Sequence, residues 1–114
     1  MKLKNSEILF EDNHLIIVNK NTGVLVQGDI TGDLCLIDIT KEYLKNKYNK
    51  KGDAFLGLVN RIDRPTSGIV IFAKTSKALS RMNEKLRNRK IRKIYWLIIS
   101  NKLHPDYGKI EGWF

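Results

Sequence analysis

The chain has 114 residues, 42% of them hydrophobic and 29% charged, with a formal net charge of +9. That length suits one modest globular domain and the composition argues against intrinsic disorder. No apolar run approaches the ~20 residues that cross a bilayer, and one cysteine, Cys35, allows no internal disulfide.

Taken in order, Ile8-Leu9-Phe10 and Leu15-Ile16-Ile17-Val18 are short β-prone runs joined by Glu11-Asp12-Asn13-His14, a hairpin-like pair. Asn19 to Gly23 reads as a turn, and Val24-Leu25-Val26 as a further strand. Asp33 can cap a helix reaching about Tyr48, with Leu36, Ile37, Thr40, Tyr43 and Leu44 on one face. Lys45 to Asp53 reads as a polar loop. Cys35, in an apolar setting with no histidine nearby in sequence, is expected in the core rather than as a nucleophile or ligand.

The densest information lies at Asn60-Arg61-Ile62-Asp63-Arg64-Pro65-Thr66-Ser67-Gly68. Phe55 to Val59 leads in and Ile69 to Ala73 leads out, so the segment reads as strand, polar turn, strand. Loops held between buried strands are where chemistry tends to sit. An Asp in such a turn also has a local backbone explanation, so the position alone does not make it catalytic. Arginines at 61 and 64 flank it, and neighbouring cations favour the ionised carboxylate.

A second helix follows, capped by Thr75 or Ser76. Ala78, Leu79, Met82 and Leu86 form its apolar stripe, while Lys77, Arg81, Lys85 and Arg87 lie away from that stripe. From Lys74 to Lys93 there are nine basic residues against one acid, Glu84, which leaves the rest of the chain nearly neutral. Such a run often marks only a solvated face. Concentrated in one stretch, it favours contact with a polyanion. Ile94 to Ser100 reads as a strand, with Trp96 on its core side and opposite to Tyr95. A turn at His104 to Gly108 and a strand beginning at Lys109 complete the expectation. His14 and His104, remote from Cys35 and from each other, give no metal-ligand spacing, and there is no Gly-rich phosphate loop.

Phe55 to Thr75 resembles the signature segment of the RluA-type family of RNA pseudouridine synthases. Arg61-Ile62-Asp63 followed by Thr66-Ser67-Gly68 matches its core pattern of His-Arg-Leu-Asp and a Thr-Ser-Gly or Val-Ser-Gly turn. Ile8 to Gly23 is similar to the family's opening strand, acidic turn, strand and Asn-Lys-Pro-x-Gly element, and Lys93-Ile94-Tyr95 to its Lys-x-Tyr strand. Asn60 stands where the pattern has histidine, and Asn21 where it has proline.

The resemblance implies an α+β catalytic domain with a mixed, largely antiparallel sheet and packed helices, of which residues 1–114 form the N-terminal portion. It implies Asp63 as the catalytic carboxylate, Arg61 as the side chain filling the gap left by a flipped uridine, and Tyr95 stacking on that base. Arg64, Thr66, Lys93, Lys77 and Arg81 complete the expected RNA-binding set. The reaction would be an isomerisation of a uridine in structured rRNA or tRNA, requiring neither cofactor nor metal. A monomer in the cytoplasm is expected, since the start of the chain has no secretory-signal pattern. The final Gly112-Trp113-Phe114 suggests a domain cut short. Two rivals stand beside this reading. One is a non-catalytic RNA-binding module of the same family. The other is a glycosidase-like hydrolase, which needs a second, facing carboxyl group.

Overall fold

The computed structural model describes residues 2–50, 52 and 54–100. After a short 3₁₀ turn at Asn5–Glu7, the elements are β1 (Ile8–Glu11), β2 (Leu15–Lys20), α1 (Leu36–Tyr48), β3 (Gly57–Leu58), β4 (Gly68–Ala73) and α2 (Ser76–Arg87). The four strands form one antiparallel sheet in the order β1-β2-β4-β3. The α+β class is as expected, and the one parallel feature among the described residues is an isolated bridge between Leu25 and Cys35.

Strand alternation decides the layers. Ile16 and Val18 on β2, with Val70 and Phe72 on β4, are fully buried on one face and pack with Leu36 and Leu44 of α1. Leu15, Ile71 and Ala73 belong to the other face, where Ala78, Leu79, Met82 and Leu86 of α2 join them. The apolar stripe read from α2's sequence is therefore its packing face. β3 and α2 come close: a Cβ on Gly57 would lie 2.6 Å from Leu79 Cδ2, so glycine permits the contact. Thr75 caps α2, its side-chain oxygen accepting the Ala78 amide at 3.0 Å. Cys35 is buried, as its apolar neighbours indicated.

Several expectations are corrected. Asp33 does not cap α1; the N-cap position is Cys35, and the Asp33 carboxylate pairs with Arg64 instead. The helix ends at Tyr48, as expected, so Lys45 to Lys47 belong to it and not to the loop, and Asn49 closes it in the left-handed conformation. Val24 to Val26 makes a single bridge rather than a strand, and the strand before the Asp63 turn shrinks to Gly57–Leu58. Ile94 to Ser100 is the largest departure: it adds no strand to the sheet, and Trp96, expected in the core, is 97% exposed. β-Branched composition supplies propensity only. A strand also needs a partner edge and a surface to cover its side chains; residues 94–100 pair with neither open edge of the sheet, β1 or β3, and Ile94 to Ile99 stay exposed. The turn at His104 and the strand from Lys109 lie outside the described residues.

Candidate active site

The turn carrying Asp63 starts where β3 gives out. Ile62 is buried in the main core beside Val18 and Val70. With that side chain directed inward, its neighbours Arg61 and Asp63 are both exposed. The Thr66 amide closes the turn onto the Asp63 carbonyl at 3.0 Å. Among the described residues, the ion pairs engage Glu11 and Asp33, and the Asp63 carboxylate belongs to none of them. It is an exposed acid on a braced turn.

The bracing comes from the segment after β2. The Gly23 amide donates to the Arg64 carbonyl at 2.8 Å, and Arg64 Nε returns a bond to the Gly23 carbonyl at 2.9 Å. Thr22 Oγ1 donates to the Pro65 carbonyl at 2.6 Å. Gly23 takes φ +85°, a conformation open to glycine at little cost. At the centre is Lys20, only 1% exposed. Its ammonium donates to the carbonyls of Asn21 (3.0 Å), Val24 (2.6 Å) and Arg64 (3.0 Å). An ammonium has three donors and no acceptor, so all of its hydrogen-bonding capacity is used. Burial, and secondarily the Arg64 charge, hold its pKa below the usual lysine value.

Lys20 falls in the stretch that is similar to the family's Asn-Lys-Pro-x-Gly element, a resemblance that assigns it no role. The signal was present in the alternation: Ile16 and Val18 point inward, so Lys20, two positions on, must do so too. A lysine on an inward register has to find acceptors.

The remaining expected residues divide into groups. Thr66, Lys93 and Tyr95 line one cleft of about 710 Å³ together with Asn60, while Asp63, Arg61 and Arg64 lie on the adjoining turn outside its lining. Tyr95 is 62% exposed and stands on no strand. Arg64 directs Nη2 to Asp33 Oδ2 at 2.8 Å, so its guanidinium serves the turn and pairs with an acid other than Asp63. Lys77 and Arg81 are exposed on α2. Lys74, counted from sequence in the cationic stretch, is mostly buried and donates to Glu11 Oε2 at 2.9 Å. Among the described residues no group of His, Cys, Asp or Glu side chains could hold a metal ion, and no helix is long and apolar enough to cross a membrane.

Comparison with known proteins agrees with this architecture. The profile of the RNA pseudouridylate synthase family matches residues 14–114. The ribosomal large subunit pseudouridine synthase C of Buchnera aphidicola (subsp. Acyrthosiphon pisum) is 39% identical over 104 residues, covering 91% of this chain and 31% of that protein. The synthase C of Haemophilus influenzae is 36% identical, covering 94% of this chain and 31% of its own length. A mitochondrial pseudouridylate synthase of Xenopus tropicalis, RPUSD4, is 30% identical, covering 93% and 32%. Among solved structures, human RNA pseudouridylate synthase domain containing 4 superposes with a TM-score of 0.62 at 28% identity, over 75% of this chain and 31% of that one. The chain thus spans about a third of the length of these relatives. On the match to residues 14–114 and these relatives, the chain belongs to the RNA pseudouridylate synthase family, in its RluA-type branch.

Proposed function

We propose that this chain carries the nucleophile-bearing part of an RNA pseudouridine synthase. Such an enzyme breaks the bond from ribose C1′ to uracil N1, turns the freed base, and joins C1′ to C5; C5 loses its proton and N1 takes one up. The bond count is unchanged and no electrons are exchanged, so the reaction needs neither redox cofactor nor metal. It does need an ionised carboxylate that a uridine can reach, and Asp63 is the candidate. The observation that carries this reading is the setting of that acid: exposed, outside every ion pair among the described residues, and on a turn fastened at its Arg64 and Pro65 carbonyls.

The target uridine must leave its stack, at a cost of a few kcal/mol. Arg61, exposed two residues from the nucleophile, fills the vacated space with its planar guanidinium. Tyr95 offers an aromatic face to the extruded base, a contact worth roughly 1–3 kcal/mol. Thr66 and Arg64 border the turn, and Lys77, Arg81 and Lys93 meet phosphates. The first two relatives are named for the ribosomal large subunit, which favours rRNA over tRNA as substrate. A monomer acting in the cytoplasm completes the reading.

The test is release of tritium from C5-labelled uridine in RNA, or adduct formation with RNA containing 5-fluorouridine. Asp63→Asn should reduce either signal to background with RNA binding retained. A second reading, an RNA-binding module without turnover, draws on the chain's span of about a third of its relatives. RNA binding by the parent chain with no tritium release would select it.

A further inference from the structure

We propose that Asn60 is a positioning residue for the Asp63 turn, its side-chain amide standing in for a missing rung of the β-sheet. This deepens the proposed function and rests on Asp63 being the reacting group. The ladder between β3 and β4 ends with the Val59 amide donating to the Ile71 carbonyl at 3.0 Å. One residue on, the backbone no longer pairs, yet β4 still presents an amide and a carbonyl on that side. Asn60 answers both: Oδ1 accepts the Ile71 amide at 2.7 Å and Nδ2 donates to the Ile69 carbonyl at 3.1 Å.

A carboxamide has the donor and acceptor of a peptide unit, which is why it can continue a strand's pairing from a side chain. The Val59 carbonyl and the Arg61 amide, which a continued ladder would pair with these two groups, are thereby freed while Asn60 stays fixed to β4 through its side chain. Ile62 then enters the core, and Arg61 and Asp63 emerge on the solvent side. Ordinary ladder pairing by Val59 and Arg61 would carry the following residues along β4 and leave no turn. Lys20 and Thr22 fasten the far side of the turn, at the Arg64 and Pro65 carbonyls. Asn60 fastens the near side.

The test combines amide exchange with tryptic cutting after Arg61, neither of which requires turnover. Strand alternation directs the Ile71 amide to Asn60 and the Val70 and Phe72 amides to β2. In Asn60→Ala, exchange at Ile71 and cutting at Arg61–Ile62 should each rise about tenfold, the factor one such hydrogen bond supports, with Val70 and Phe72 unchanged. Asn60→His, which keeps one donor and one acceptor, should move both back toward the parent. Parent-like exchange and cutting in Asn60→Ala would overturn the proposal.

If Asn60→Ala exchanges everywhere, Asn60→Asp decides, because it keeps the acceptor toward Ile71 and loses the donor toward Ile69. Faster cutting with Ile71 still protected supports the role, and parent-like cutting overturns it. On labelled RNA the folded variants should lose kcat with KM unchanged, since the turn and not the cationic face is disturbed. A parent chain that releases no tritium would remove the enzymatic reading and leave exchange and cutting to decide the placement of the turn.

Discussion

At the scale of single residues, this chain braces the turn that carries Asp63 with a buried cation that makes no ion pair with that acid. Lys20 reaches the residue after Asp63 through a carbonyl, and the same ammonium holds two carbonyls of its own loop. Replacing it with methionine keeps most of the volume but strands three acceptors. We expect Lys20→Met to cost about 2–4 kcal/mol in urea unfolding, since each buried unsatisfied group costs about 1–3 kcal/mol and some will find water. Lys20→Arg should also destabilise, because a planar fork cannot reproduce three converging bonds. Wild-type stability in Lys20→Met would show that the clamp contributes nothing to the fold. Surface-exposed Arg64 and Asp33 form a contrast: that pair is worth ~1 kcal/mol or less.

Among elements, the decisive junction lies at the opposite end of the sheet from Asp63. Glu11 ends β1 and receives the Tyr48 hydroxyl at 2.6 Å, Lys47 at 2.9 Å, Lys74 at 2.9 Å and the Tyr43 hydroxyl at 3.1 Å. It ties α1 to the sheet and to the end of β4. Lys74 also lies 4.8 Å from the centre of the Tyr48 ring. Burial alone would raise the Glu11 pKa; the hydrogen bonds from Tyr48, Lys47 and Lys74 outweigh it and bring the value down from 4.5 to about 2. The folded state therefore holds the ionised form more strongly than the unfolded chain does. This stabilisation is complete above pH 4.5 and is lost as pH falls toward 2. The thermal midpoint should drop across that window, and Glu11→Gln should flatten the drop while lowering the midpoint at neutral pH. An identical acid limb in parent and variant would assign the effect to other carboxyls.

For the whole molecule, charge and apolar surface are distributed unevenly. The cationic stretch from Lys74 to Lys93 loses Lys74 to the Glu11 junction, which leaves eight basic residues for a polyanion. If four of them meet phosphates, the logarithm of RNA affinity should fall with the logarithm of salt at a slope of about −3, and Lys77→Glu with Arg81→Glu should reduce that slope by about 1.5. A flat response in the parent chain would detach the cationic face from RNA. The run from Ile94 to Ile99 is exposed throughout, and apolar surface of that extent marks an interaction site or an aggregation liability.

What could be read from sequence was set by local physics. The alternation of β2 and β4, the apolar stripe of α2, its Thr75 cap and the turn at Asp63 all depend on neighbours within a few positions. So did the family, because its motifs are short and stand in order along the chain. Partnership across the fold was not legible. Asp33 could cap α1 by its position, and the structure gave it to Arg64, which is 31 residues away. Trp96 had the pattern of a core residue, yet burial needs a second surface, which no run of residues supplies for itself. The three carbonyls around Lys20 come from two separate loops, and only the folding of one against the other brings them within reach of a single ammonium.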